Sequence, residues 1–206
     1  MADKPAKSKA KVVDKWKAKS WYTLVAPEML DSRELGQVVS SDEANLMDRK
    51  VKIGLGDMLD SFSQATAYTS MHFRVKEVKG KSAHCIFIGH ELVPGYVRTL
   101  ARRRRSVMNQ VDDVVTKDGV GVRVKIICVS GLRVSEGVRA DVRKGISEAV
   151  KALASQMDYA TLVQEMVFGK LSAKIYAHVK RMGPIKRVEV RKSELRESFE
   201  KRRQAA

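Results

Sequence analysis

The sequence predicts an α+β fold: a mostly antiparallel β-sheet or barrel body with packed helices and basic terminal extensions. Three observations carry this. Apolar and basic side chains alternate at Met71–Val78 and again at Val120–Val129, as in strands with one buried face. Lys79-Gly80-Lys81 and Thr116-Lys117-Asp118-Gly119 separate β-favouring runs, the place of hairpin turns. Beyond Gly131 the apolar spacing lengthens to that of a helix. The organisation that follows is a basic arm over residues 1–20, one domain over 21–192 and a charged tail over 193–206.

Residues 1–20 hold seven Lys and two Asp. With so little apolar surface to bury, the arm cannot repay the entropy of ordering alone, and a partner is expected to order it. Ser20–Ala26 is rich in aromatic and β-favouring residues and stops at Pro27, which reads as the first strand. Glu34–Val39 reads as a short second one. Within 41–66, Asp57-Met58-Leu59 either opens a short helix or lines a loop. Gly54 and Gly56 form a lone G-L-G that reads as a turn, because the flanking pattern of a phosphate-binding loop is missing.

In Met71–Val78, Met71, Phe73 and Val75 oppose His72, Arg74 and Lys76. Ala83–Ile88 is apolar on both faces and is expected to be central. Pro94 opens a predicted helix over 94–105, since proline fits the first turn at no hydrogen-bond cost. That helix would end in Arg102–Arg105, where cations complement the dipole. Val111–Val115 and Val120–Val129 form the second hairpin, with Val120, Val122, Val124, Ile126 and Cys128 on one apolar face and Arg123 and Lys125 on the other. Val138, Val142, Ile146, Val150 and Leu153 make a helical stripe, capped by Ser135, over about 136–156. Arg139, Arg143, Lys144 and Lys151 lie off it. Further helices are expected over 159–168, around Leu162 and Met166, and over 170–182, with Leu171, Ile175, Val179 and Met182 on one face and Gly183-Pro184 as the stop. Ile185–Arg191 is the last strand, Val188 and Val190 alternating with Arg187 and Arg191.

Charge narrows the function. Forty Lys and Arg oppose 24 Asp and Glu, a formal net charge of +16. Self-repulsion on that scale opposes compaction unless a polyanion relieves it. No apolar run reaches the ~18 residues a membrane-spanning helix needs, and no apolar core follows the basic N-terminus as in a secretory signal. Nucleic acid is therefore the expected partner. Cys85 and Cys128 sit in apolar runs and read as buried free thiols of a reducing, cytoplasmic compartment.

Catalytic and metal chemistry find little support. His84, Cys85, His90 and Cys128 could suggest zinc, but strand neighbours point to opposite faces and the paired Cys spacing is absent. Asp112-Asp113 diverge for the same reason and make a poor acid–base pair. No nucleophile-elbow, metalloprotease, P-loop or dinucleotide motif is present. No catalytic residue, metal or cofactor is expected.

Three basic blocks account for the charge. The arm contributes +5, Pro94–Arg105 contributes +5, and residues 169–206 contribute +8, which leaves the remainder at −2. The RNA-binding candidates follow: Lys7, Lys9, Lys11, Lys15, Lys17 and Lys19 in the arm; Arg98, Arg102, Arg103, Arg104 and Arg105 in the middle block; and Lys174, Lys180, Arg181, Lys186, Arg187, Arg191 and Lys192 toward the C-terminus. The planar guanidinium suits phosphate oxygens, which ranks Arg102–Arg105 first. Trp16, Trp21 and Tyr22 are able to stack on unpaired bases, although core packing is the expected role of Trp21 and Tyr22. RNA is favoured over DNA because no helix-turn-helix, zinc finger or basic zipper appears.

A set of ordered motifs goes further. A Lys-rich arm leads into Lys19-Ser20-Trp21-Tyr22 and Val25-Ala26-Pro27. Asp48-Arg49-Lys50-Val51 and Gly56-Asp57 follow, then Thr116-Lys117-Asp118-Gly119 running into Arg123–Ser130. Arg143-Lys144, Lys174-Ile175-Tyr176 and Val188-Glu189-Val190-Arg191-Lys192 complete the series. From about residue 10 to 195 the chain resembles the archaeal and eukaryotic small-subunit ribosomal proteins of the S-three-a-e family. Its length is closer to the archaeal members, which lack the eukaryotic C-terminal extension. The resemblance implies a non-enzymatic, ribosome-bound protein on the platform of the small subunit near the messenger RNA exit. Ribosomal RNA and neighbouring ribosomal proteins would be its partners, with mRNA a further one. The family offers no compact binding motif, so the contact residues rest on charge alone. The competing readings are a free RNA-binding chaperone or regulator and an RNA-modifying enzyme.

Overall fold

The computed structural model describes residues 16–17, 19–59 and 67–197. Its centre is an eight-stranded, mostly antiparallel sheet. The strands are β1 (Ser20–Val25), β2 (Glu34–Ser40), β3 (Lys50–Gly54), β4 (Thr69–Lys79), β5 (Ser82–Leu92), β6 (Val107–Val115), β7 (Gly121–Ser130) and β8 (Ile185–Leu195). Among the described residues five α-helices accompany them: α1 (Leu55–Leu59), α2 (Pro94–Leu100), α3 (Glu136–Gln156), α4 (Tyr159–Val167) and α5 (Lys170–Val179).

β5 is the hub. One edge carries β4 along its whole length, and β3 continues outward from β4. The other edge is shared. β1 runs parallel to the start of β5 at Thr23–Val25, bringing β2 with it, while β8 meets the far end at Glu91 and Lys192 and leads on to β7 and β6. Cys85 and Phe87 take the face of β5 toward the core, whereas His84 on the other face is exposed and Ile86 half-buried. Cys85, Phe87 and Ile88 are all buried, as the composition of Ala83–Ile88 predicts.

The turns obey local chemistry. Lys79 pairs with Ser82, so the β4–β5 loop is Gly80-Lys81 with Gly80 at φ 60°, the left-handed conformation that two-residue hairpins require. In the β6–β7 loop Gly119 takes φ 76° and its N–H donates to the Thr116 carbonyl at 2.9 Å. Asp118 in that loop accepts the Tyr159 N–H at 2.8 Å, and the Lys117 N–H donates to the Met157 carbonyl at 3.1 Å. The hairpin tip therefore clamps the α3–α4 junction and satisfies one of α4's orphan donors.

α3 spans the residues its stripe predicts. Val142, Ile146 and Val150 are buried, and Val138 and Leu153 pack at the margin. Ser135 is its N-cap by position, although its hydroxyl makes no capping bond. α3 packs on β6, and α5 packs between α3 and β8. The last helix is shorter than the 170–182 expected. It ends at Val179, and Met182 lies beyond it with its thioether over Gly145.

Three further differences stand out. β3 has no counterpart among the expected strands, because Lys50-Val51-Lys52-Ile53 sits on the outermost strand beside β4 with little burial to mark it. β8 reaches Leu195, four residues past the predicted end, and Ser193 within it is buried. Trp21, expected in the core, is 61% exposed, whereas its neighbour Tyr22 is buried. Strand alternation allows only one of two successive residues to face inward, and Tyr22 and Leu24 take the inward face of β1.

Candidate nucleic-acid interface

The most basic segment departs from its predicted form. The helix opened by Pro94 stops at Leu100, where Ala101 turns extended, and Arg102–Arg105 form a separate turn. Continuing the helix would have set Arg98 one turn from Arg102, a like-charge pair that opposes helix formation. α2 also buries no residue that could offset that repulsion, and the Thr99 hydroxyl donates to the Tyr96 carbonyl at 2.7 Å, a local bond that competes with the helix. Arg102–Arg105 therefore lie beyond the helix and do not cap its dipole. Instead the Arg105 N–H donates to the Arg102 carbonyl at 3.3 Å, and Arg104 sits at φ 62°, a left-handed conformation that costs a non-glycine residue about 1–2 kcal/mol.

The turn is fixed at its base. Ser106 and Ser130 are both buried. The Ser130 hydroxyl accepts the Ser106 N–H at 2.9 Å, the Ser130 N–H donates to the Ser106 carbonyl at 3.0 Å, and the Ser106 hydroxyl accepts the Val134 N–H at 3.1 Å. These bonds tie the exit of the arginine turn to the end of β7.

Beside it lies an open cleft of about 550 Å³. Arg102 and Arg105 line it from the turn and Lys186 and Arg187 from the start of β8; Thr99, Leu100, Val129, Tyr68 and Tyr96 complete it. Tyr68 and Tyr96 stack face to face, with ring centroids 4.6 Å apart and planes 6° from parallel. The Arg187 guanidinium carbon lies 5.6 Å from the Tyr96 centroid, within cation–π range. Burial and the nearby Glu189 carboxylate raise the Tyr96 phenol above its usual pKa, so the ring is uncharged at neutral pH.

Ion pairing separates the basic candidates into two groups. Arg187 is held by Glu189 at 2.6 Å, Lys174 by Glu165 at 2.5 Å, and Lys192 by Glu194 at 2.8 Å and Glu91 at 3.8 Å. Two outward cations of β7 are matched too: Arg123 forks onto Asp113 at 2.6 and 2.7 Å, and Lys125 meets Glu194 at 3.0 Å. Arg139 and Arg143 share Glu136. By contrast Arg98, Arg102, Arg103, Arg104, Arg105, Arg181, Lys186 and Arg191 pair with no carboxylate among the described residues, and Lys180 meets only the Tyr176 ring. Among the RNA-binding candidates, the unmatched cations thus lie on α2 and the arginine turn, at the α5–β8 connection and on the outer side of β8.

In the arm, Lys17 is exposed and Lys19 places its ammonium 4.2 Å from the centroid of Trp16, itself 67% exposed. Lys7, Lys9, Lys11 and Lys15 lie outside the described residues.

The other constellations resolve as the strand geometry requires. His84 is exposed while Cys85 beside it is buried, and among the described residues no three potential ligands gather around a metal position. Both cysteines are free, and burial pushes their thiols up to about 11 for Cys85 and about 12 for Cys128, which keeps them unreactive. No helix of the described residues is long and apolar enough to cross a membrane. Asp112 is buried with the Ser147 hydroxyl donating to it at 2.7 Å, whereas Asp113 faces Arg123 outside.

Fold and surface define a class: a basic α+β protein built on a mostly antiparallel sheet, with a run of arginines that no carboxylate among the described residues neutralises. Comparison with known proteins names the family. Residues 7–198 match the Ribosomal S3Ae family. The small ribosomal subunit protein eS1 of Methanococcus maripaludis is 36% identical over 195 residues, covering 95% of this chain and 86% of its own length. The eS1 protein of Sulfurisphaera tokodaii is 37% identical over 91% of this chain and 96% of its own length, and that of Sulfolobus acidocaldarius 34% identical over 92% and 96%. The chain belongs to the ribosomal S3Ae family, a family of small-subunit ribosomal proteins with a structural role in translation.

Proposed function

We propose that this chain binds ribosomal RNA on the platform of the small subunit near the messenger RNA exit, with the arginine turn as its principal phosphate contact. One observation carries the reading: four successive arginines project from a fixed turn, and none has a carboxylate partner among the described residues. Leaving like charges unmatched is unfavourable for a free protein and favourable beside phosphate, where each contact releases condensed counterions. Lys180, Arg181, Lys186 and Arg191 extend the same contact, and the lysines of the arm over residues 1–20 add positive charge for the same phosphates. Lys174, Arg187 and Lys192, already held by carboxylates, serve first to set the local structure. The body from β1 to β8 acts as a scaffold in the ribosome-bound, cytoplasmic particle, with neighbouring ribosomal proteins and the emerging message as further partners.

The test is a salt titration of binding to a small-subunit rRNA transcript. Replacing Arg102, Arg103, Arg104 and Arg105 together by Ala should weaken binding and flatten the log–log salt slope by about 0.9 for each phosphate that is no longer neutralised. A variant with the wild-type affinity and slope contradicts the assignment of this turn.

A further inference from the structure

We infer that the Tyr68–Tyr96 cleft holds an unpaired nucleotide of single-stranded RNA, its base continuing the tyrosine stack and its phosphates reaching Arg102, Arg105 and Lys186. This rests on the RNA-binding reading above and specifies which form of RNA the site accepts.

The aromatic pair comes first. Tyr68 is 41% exposed. An exposed tyrosine held parallel to a second ring, 4.6 Å from it, is a platform on which any base can stack. The platform is built by the fold. Thr69 pairs with Leu92 at the open end of the β4–β5 hairpin, and the Val93 N–H donates to the Tyr68 carbonyl at 2.8 Å. The residue before β4 is thereby fixed beside the first turn of α2, which carries Tyr96.

Charge comes second. Four cations and no carboxylate line the cleft. Arg187 is engaged with Glu189 and Tyr96, which leaves Arg102, Arg105 and Lys186 without an acidic partner among the described residues. Size comes third. The volume of about 550 Å³ falls in the ~300–1,000 Å³ range of ligand clefts, ample for one nucleotide, and the open mouth lets a strand pass through.

Aromatic floor and cationic rim together select against duplex. In a helix the base faces are stacked on one another and only phosphates are offered, whereas an unpaired segment can splay a base onto a side chain. The arginine turn alone would accept either form; the tyrosine pair discriminates.

The experiment uses the full chain and two probes: a ten-nucleotide single-stranded RNA with a central 2-aminopurine, and a duplex of the same length. Wild type should bind the single strand more tightly and quench 2-aminopurine fluorescence. The double variant Tyr68→Leu, Tyr96→Leu keeps apolar volume without a π face. It should lose about tenfold in single-strand affinity, as removal of one stacking partner does, lose the quenching, and bind duplex unchanged. If the variant fails to fold by circular dichroism, Tyr68→Leu alone at the exposed ring carries the same expectation. Unaltered quenching and affinity in a folded variant would overturn the inference and leave phosphate binding by the arginine turn standing. Failure of wild type to bind either probe would sink both.

Discussion

Replacing Gly89 by Ala should strongly destabilise the protein. Gly89 lies in β5 where β8 passes over it. A Cβ there would sit 2.0 Å from the Ser193 carbonyl oxygen and 2.9 Å from its carbon. Both are backbone atoms, so no side-chain rotation can make room. Ordinary overpacking, which side chains can absorb, costs about 1–3 kcal/mol. This clash can be relieved only by parting β5 from β8, and the junction joins β6–β8 to the rest of the sheet through a single registered pair, Glu91 with Lys192. A loss of ~3 kcal/mol or more is expected, a large share of the 5–15 kcal/mol typical of a domain. The urea midpoint measures it. Gly137→Ala is the control: no atom lies within 4 Å of its Cβ position, so its midpoint should stay level or rise. Equal midpoints for the two variants would contradict the β5–β8 contact.

The second large effect is acid lability centred on His90. This side chain is fully buried one residue after Gly89. Its Nε2 lies 3.3 Å from the Val190 carbonyl and its Nδ1 2.7 Å from the Ser193 hydroxyl. A carbonyl only accepts, so Nε2 carries the proton. Nδ1 accepts from the Ser193 hydroxyl, whose oxygen in turn accepts the His90 N–H at 3.1 Å. The neutral ring is satisfied, and a second ring proton on Nδ1 would force the Ser193 hydroxyl to turn its own hydrogen away and would leave a charge in a buried site. Burial is the main reason its pKa falls from 6.5 to about 4; His72 lowers it further, and the Val190 carbonyl and Glu91 partly oppose the shift.

The unfolded chain protonates this group first. Its contribution is therefore complete above about pH 6.5 and is lost as pH falls toward about 4. At 1.36 kcal/mol for each pKa unit the loss is roughly 3 kcal/mol. Urea unfolding at pH 7 and pH 4 should show it. His90→Gln should be less stable at pH 7 yet lose less on acidification, because the remaining carboxylates titrate in both proteins. An identical acid loss in variant and wild type would show that His90 is not the source.

Most of the fold is legible in the sequence, because periodicity and turn chemistry are local. Gly80 and Gly119 occupy left-handed turn positions that their neighbours announce, and α3 matches its stripe from end to end. Trp21 departs from its expected place because hydrophobicity alone cannot say which of two adjacent aromatics a strand turns inward. The arginine block is visible as charge, but its conformation is not, since a proline start and a basic end look the same whether a helix spans two turns or three.

The aromatic cleft is invisible in the sequence for a different reason. Tyr68 and Tyr96 lie 28 residues apart, and nothing local connects them. They meet only because β4 and β5 run on to Thr69 and Leu92, beyond the alternation that marks Met71–Val78 and Ala83–Ile88. The separation of matched from unmatched cations is likewise hidden. Lys192 and Arg191 are neighbours in sequence, yet only Lys192 reaches Glu91 and Glu194.

A map of the intact small ribosomal subunit carrying this chain tests the central claim most directly. Guanidinium and ammonium groups of Arg102, Arg105 and Lys186 should lie within hydrogen-bonding distance of rRNA phosphate oxygens, about 2.7–2.9 Å. The same groups facing open solvent, or packed only against another protein, would contradict the account.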